Sequence, residues 1–333
     1  MEAVRLYGVG DLRHDTVASP AAPAPDEVTL AVSVAGICGS DLHNYRTGAW
    51  ISRAPSVAGH EFAGTVTAIG ETVSHVAVGD RVIVDSRYTC GRCKACRGGV
   101  GQVCTELGFL GEVIDGGFAE HVTLPGRNVL KAPEGVADRH LAMAEPLSVA
   151  LHALNLMHVP EGAEIIMTGC GPIGGLITLL ATRTGHPVSI VDRNAARTAL
   201  LAEATGATVT DLDALADHYY RYAIDTTGNA HVIKGLVSTI AGASRLGLVG
   251  IGTPADIIDP VHLVEREIAL VGCHAFNDEL ATIGKMLPDL APHLDPFIES
   301  MISLADVPTT YDRLLAGEAT GIKTLIKIGD TGG

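Results

Sequence analysis

The chain has 333 residues, 47% hydrophobic and 18% charged, a composition that excludes a disordered or fibrous protein and a length that suits two cores with a cleft between them. Its formal net charge of -15 provides no basic surface to displace counterions from a phosphate backbone, so neither nucleic acid nor anionic membrane is an expected partner, and a small molecule is. The opening residues show no secretory pattern and apolar runs are broken well before spanning length; the seven cysteines are then expected in a reducing, cytoplasmic compartment.

In chain order, residues 28–34 alternate apolar and small side chains, the period-two pattern of a strand with one buried face. Residues 64–69 and 81–84 are rich in β-branched side chains and bounded by Gly-Glu and Gly-Asp turns, so the chain up to about residue 140 reads as mainly β. From Glu164 the texture changes to strand 164–168, a glycine turn, helix 174–183, strand 188–192, helix 195–204, strand 222–225, helix 231–240 and strands 245–250 and 268–272. Such alternation implies a mostly parallel sheet covered by helices on both faces. The expected fold is therefore α/β, with a β-rich domain over residues 1–150, a doubly wound domain over 151–284, and a tail from about 285 that turns strand-like at 324–328 and returns to the first domain. Residues 330–333 read as frayed.

Three constellations carry chemistry. Cys90, Cys93, Cys96 and Cys104 crowd into a polar, glycine-bearing loop. Four thiolates at such spacing close a tetrahedron around a zinc ion that holds the loop and has no open position for catalysis; four unrelated buried thiols or two disulfides are the alternative. The second constellation, Gly169-Cys170-Gly171-Pro172-Ile173-Gly174, follows a strand and opens a helix, with Asp192 at the end of the next strand. The glycines allow a pyrophosphate to approach the helix N-terminus, and Asp192 is placed to accept ribose hydroxyls, which favours NAD over NADP. Asp192 as a cap of the following helix is the competing reading, and Arg193 beside it offers a partner for a 2′-phosphate. Arg197, one turn on, is placed near the adenine, and Thr226 and Gly250, at the ends of later strands, complete the expected cofactor contacts.

The third constellation is dispersed: Cys38, Ser40 and His43, then His60-Glu61, then Glu145. Taken singly these read as a buried thiol, a loop histidine and surface acids. Together they offer a thiolate, an imidazole and carboxylates, a set that neutralises Zn²⁺ and leaves a position for substrate.

At these residues the chain resembles the zinc-containing medium-chain dehydrogenase/reductase family over essentially its whole length, and its polyol branch (sorbitol, L-idonate and threonine dehydrogenases) in particular. The resemblance is carried by Ala35-Gly36-Ile37-Cys38-Gly39-Ser40-Asp41-Leu42-His43, Gly59-His60-Glu61, the four-cysteine loop, Asp115-Gly116-Gly117-Phe118-Ala119-Glu120 and Glu145-Pro146-Leu147-Ser148-Val149-Ala150. It implies a GroES-like domain followed by a Rossmann domain with the active site between them, one catalytic and one structural zinc, NAD, and a homotetramer or homodimer. It also implies Cys38, His60 and a glutamate as ligands of the catalytic metal. Adjacent side chains on a strand point to opposite faces, so His60 and Glu61 share one metal only if the backbone turns there, whereas Glu145 meets no such obstacle.

The implied activity is oxidation of a secondary alcohol in a polyol or sugar-derived substrate, with zinc as Lewis acid and a proton relay through Ser40 and the cofactor ribose to His43. The remaining pocket residues would be Tyr45, Trp50, Arg53, Phe109 and His274. One departure bears on the substrate: where the polyol branch often carries an arginine between two aromatics, this chain reads Cys273-His274-Ala275-Phe276-Asn277, without the cation that would meet a sugar acid. An amino-alcohol, threonine-like dehydrogenase, a zinc-independent reductase of the wider superfamily and a non-catalytic NAD- and zinc-binding structural or sensor protein are the competing readings.

Overall fold

The computed structural model describes residues 1–329 apart from 218, 253–255 and 257; the tail read as frayed, 330–333, lies outside the described residues. The chain divides into two compact units, one made of Met1–Glu145, Leu280–Ala319 and the stretch from Lys323 on, the other of Pro146–Glu279 and Thr320–Ile322.

The first unit opens on a hairpin that the sequence pattern does not announce. Strand β1 (Glu2–Gly8) pairs with β2 (Asp11–Thr16), Leu6 facing Leu12. Strand β3 (Glu27–Gly36) alternates as expected only as far as Ala31 and is buried continuously from Val32. Its last turns lie against covering groups on a second face, where Val34 packs with Ala142 and Leu325. Helix α1 (Gly39–Thr47) follows, a polar segment whose apolar periodicity is too weak to read as a helix and whose one buried residue is Asn44. Its N-terminus is closed instead by a capping box, the Asp41 carboxylate receiving the Cys38 N–H at 2.9 Å.

The chain continues through β4 (Ser56–Val57), β5 (Glu61–Ile69), β6 (Arg81–Val84), β7 (Arg87–Tyr88), the short α2 (Lys94–Arg97), β8 (Gly108–Phe109), β9 (His121–Pro125), β10 (Val129–Lys131) and α3 (Asp138–Leu141). β5 runs antiparallel to β3, and Gly64 is needed there because a Cβ would lie 2.3 Å from the Ala31 carbonyl oxygen. Helix α4 (Ala144–Met157), which begins at Glu145's turn, was not apparent in the sequence pattern.

In the second unit β11 (Ile165–Thr168) is buried at all four positions, α5 (Pro172–Arg183) carries Pro172 in its first turn, and β12 (Val188–Val191), α6 (Ala195–Thr205), β13 (Thr208–Val209), β14 (Tyr222–Asp225), α7 (Ala230–Thr239), β15 (Arg245–Leu248), α8 (Pro260–Arg266) and β16 (Ala269–Gly272) follow. Helix α5 starts two residues before the expected position because proline suits a first turn whose N–H has no partner. β15 stops at Leu248 rather than at residue 250, since the N–H groups of Val249 and Gly250 both turn to the Asp225 carbonyl. The sheet is parallel in the order β13-β12-β11-β14-β15-β16, the doubly wound order. Its core includes Ile166, Ala223, Leu236 and Leu246.

The last segment supplies α9 (Glu279–Leu290), β17 (Ile298–Ile302), α10 (Val307–Leu315) and β18 (Lys323–Lys327). β18 adds to β3, so the large sheet of the first unit runs β10-β6-β5-β3-β18-β17, with β9 also on β3. Among the described residues no helix is long and apolar enough to cross a membrane.

Candidate active site

Cys38 ends the loop after β3 and N-caps α1, and His60 immediately precedes β5. The turn that His60 and Glu61 need in order to face one point is present: Gly59 sits at φ +91°, against the Phe118 ring, and regular strand begins only at Glu61. One ligand atom each from Cys38, His60 and Glu61 lies within 4.8 Å of the others. The Ser40 hydroxyl donates to the Cys38 sulfur at 3.1 Å and lies 3.4 Å from His60 Nε2. On the far side of the ring, His60 Nδ1 meets Asp41 Oδ1 at 3.2 Å, which points Nε2 at the cluster.

Glu61 is fully buried, with one carboxylate oxygen ion-paired to Lys323 Nζ and the other, Oε1, without a partner among the described residues. Lys323 also donates to the Ile37 carbonyl at 2.9 Å. Gly36 makes room for this pair, for a Cβ there would stand 2.5 Å from Glu61 Oε2.

Glu145, at the start of α4, is not in the three-residue group; its Oε1 accepts the Ser86 hydroxyl at 2.6 Å. Burial, together with the charge of Glu61, pushes its carboxyl up to about 7 against the pull of His60. His60 itself is held well above its ordinary value, because Asp41 and Cys38 outweigh the burial that alone would lower it. Acidic groups thus crowd around the His60 ring. A thiol, an imidazole and an orphaned buried carboxylate oxygen converging on such a site fit a zinc ion.

The other proposed pocket residues, His274 excepted, are spread over the same unit. The Phe109 ring lies 6.2 Å from that of His60, and His43, on α1, rests against Trp50 at 5.0 Å. Tyr45 is turned elsewhere: its hydroxyl donates to the Gly10 carbonyl at 3.2 Å and its ring meets Tyr311 edge-on. Arg53 is ion-paired with Asp115. His274 belongs to the second unit, exposed just beyond β16.

The four sulfurs of Cys90, Cys93, Cys96 and Cys104 also lie within 4.8 Å of one another, and none is in a disulfide. The Cys96 N–H holds the Cys93 thiol down at about 5, whereas burial pushes Cys96 up to about 12. Without a cation the four cannot all be thiolates, and α2, in their midst, buries no side chain. The loop fits a structural zinc in place of a core.

In the second unit, Gly169 adopts φ +94°, and a Cβ at Gly174 would lie 1.8 Å from the Gly169 carbonyl oxygen, so strand and helix meet as closely as the glycines allow. Nothing lies within 4 Å of a Cβ built on Gly171, the N-cap of α5, and Pro172 and Ile173 begin the helix behind it: an open cradle in front of a helix N-terminus, which fits a dinucleotide pyrophosphate. Asp192 is not the cap of α6, a role taken by Asn194. Its carboxylate instead accepts the Cys170 N–H at 2.6 Å and the Asn194 N–H at 2.8 Å, tying the glycine loop to the end of β12. Arg193 is exposed, and Arg197 donates to the Gly321 carbonyl at 2.8 Å. Thr226 spends its hydroxyl on the Thr168 and Gly169 carbonyls, and Gly250 allows contact with the Gly228 backbone, where a Cβ would be 2.1 Å from nitrogen.

Asp41, Lys323 and Ser86 do not stand out in the sequence. Asp41 lies inside the Cys38–His43 motif, and its spacing to Cys38, that of a capping box, is the signal that marks it. Lys323 is 262 positions from its partner, and its one local signal is a lysine leading an apolar strand.

Residues 24–134 match the model of the alcohol dehydrogenase GroES-like domain. The chain is 31% identical to 2-dehydro-3-deoxy-L-galactonate 5-dehydrogenase of Pseudoalteromonas atlantica over 92% of this chain and 93% of that one, and 30% identical to sorbitol dehydrogenase of Bacillus subtilis over 82% and 81%. Its fold superposes with a TM-score of 0.91 on a protein assigned as a zinc-binding dehydrogenase from Sinorhizobium meliloti bound to NADP, at 29% identity and 98% coverage of each chain. With a GroES-like unit, a Rossmann-like parallel sheet and these relatives along nearly its whole length, the chain belongs to the zinc-containing medium-chain dehydrogenase family, in its polyol branch.

Proposed function

We propose that this oxidoreductase oxidises a secondary alcohol of a polyol or sugar-derived substrate with NAD, using Cys38, His60 and Glu61 as the catalytic metal site. The observation that carries the proposal is the convergence of those three side chains with a buried, unpartnered oxygen on Glu61. Bound zinc supplies Lewis acidity to the substrate hydroxyl, and the nicotinamide supplies the hydride acceptor. Asp41 orients His60, Lys323 and Ser86 hold the two glutamates, and the Cys38 loop presents the Ser40 hydroxyl beside the thiol. Ser40 takes the proton leaving the substrate. His43 lies three residues further along α1, on the same helical face, and passes it on toward solvent. Asp192 favours NAD, since a carboxylate repels a 2′-phosphate. The absence of an arginine at Ala275 favours neutral polyols over sugar acids.

A homo-oligomer is supported by β16 standing at the open edge of the parallel sheet and by the exposed Val261 and Val264 on α8. Seven cysteines without a disulfide support a cytoplasmic setting. The test is a panel of polyols, sugar acids, cyclitols and amino alcohols with NAD and with NADP, followed as reduced cofactor. The expected result is fastest turnover of a neutral polyol with NAD. Preference for an amino alcohol, or turnover of none despite two bound zinc ions per chain, overturns the proposal.

A further inference from the structure

A small cavity of about 20 Å³ adjoins Asp41, on the side of α1 that faces β1 and the turn at Gly111. Asp41, Asn44, Tyr45, Glu112 and Tyr311 are its polar lining. That volume holds one water, provided polar partners face it. Tyr311, on α10, is 1% exposed, and its hydroxyl has no hydrogen-bond partner among the described residues. Native proteins rarely bury a hydroxyl without a partner, and an ordered water is the usual answer. The neighbouring phenol does not compete for it, because the Tyr45 hydroxyl is directed to the Gly10 carbonyl. Asp41 accepts one hydrogen bond on each carboxylate oxygen, from the Cys38 N–H and at His60 Nδ1, and so keeps lone pairs to spare. Burial and the nearby charge of Asp41 push the Tyr311 phenol well above its ordinary value, which keeps it a hydrogen-bond donor.

We propose that one water fills this cavity, accepts a hydrogen bond from the Tyr311 hydroxyl and donates one to Asp41, making Tyr311 a positioning residue that fixes Asp41 and, through it, the His60 ring. The proposal rests on the reading of Cys38, His60 and Glu61 as a metal site. Asp41 is the group one shell removed from the metal, and such groups commonly change affinity for it by about ten- to a hundredfold; Tyr311 acts by holding Asp41 in place.

The test is the rate at which a chelator removes zinc, measured as zinc per chain, from the full-length protein and from Tyr311→Phe, which keeps the ring and its contact with Tyr45. Two ions per chain in the unaltered protein confirm that the metal site exists; one ion, with Cys38→Ala losing none, sinks that reading itself. Given two ions, Tyr311→Phe is expected to release one of them about tenfold faster and the other at the original rate. Equal release of both ions from the two proteins overturns the inference. In an Asp41→Asn background the Tyr311→Phe effect should vanish, because its route is broken; an undiminished effect there means that Tyr311 acts by packing alone, which overturns it as well.

Discussion

Lys323 and Glu61 form a buried ion pair, and the stability of each depends on the other's presence. Removing one partner of such a pair leaves a desolvated charge and costs roughly 3–5 kcal/mol. Lys323→Met is accordingly expected to lower unfolding free energy by about that amount in urea titrations, and the double change with Glu61→Gln to restore most of it. A single change that is silent would show that the pair is not closed in solution. Ser40 presents the opposite case, a residue whose loss should spare the fold: Ser40→Ala is expected to reduce turnover by on the order of a hundredfold with an unchanged melting temperature, and His43→Ala to alter the pH profile of turnover. Retention of full turnover by Ser40→Ala removes it from the proton route. At this scale the sequence was legible wherever chemistry repeats in short motifs, as at Cys38-Gly39-Ser40 and the four cysteines. It was silent where a partner comes from across the sheet, as Lys323 does. The geometry of His60 and Glu61 lay between these cases, since the alternation rule is sound and only the backbone at Gly59 decides whether it applies.

Among the elements, α4 joins functions that local sequence does not connect. Glu145 stands in its first turn, and two turns later His152 donates from Nδ1 to Glu279 at 2.9 Å. Asn155 and the Asn277 N–H add further hydrogen bonds to the same carboxylate, at 3.1 and 2.6 Å. Burial alone would raise Glu279, but the hydrogen bonds from His152, the Asn277 N–H and Asn155 outweigh it and hold the carboxyl at about 2, below its ordinary 4.5. A depressed folded-state value means that the ionised form contributes stability above pH 4.5, and that this contribution fades as pH falls toward 2. Glu279→Gln should therefore cost on the order of 2–3 kcal/mol at pH 7, a difference that shrinks steadily below pH 4.5. Denaturant curves at a series of pH values measure it; a cost that stays constant with pH refutes the assignment. Elements with strong periodicity, such as β11, α5 and β14, were readable from the pattern. α1 and α4 were not, the former because capping rather than amphipathicity sets it, the latter because its apolar residues are too evenly spread to mark a face.

At the scale of the whole molecule, the four-cysteine loop fits a metal in place of a core. Cys93→Ser should lower zinc content by one ion per chain and reduce thermal stability, while the affinity of the glycine-loop unit for NAD stays as it was. Calorimetry and metal analysis check the two halves of that expectation, and undiminished zinc content would reassign the loop. The sequence revealed the alternation of the second unit and the return of the tail, since both rest on runs of apolar residues; the strand β17 escaped because none of its residues is fully buried and Met301 is exposed. The return of the tail has a further consequence, for the order of events on the ribosome. Lys323, at the head of β18, is made 262 positions after the Glu61 it pairs with, so β3 and Glu61 wait for it. The strands of the parallel sheet are therefore all made while the other unit still lacks β17 and β18 and carries an unneutralised carboxylate, so that nascent chains should pass through a stage in which only that sheet and the helices on it are formed.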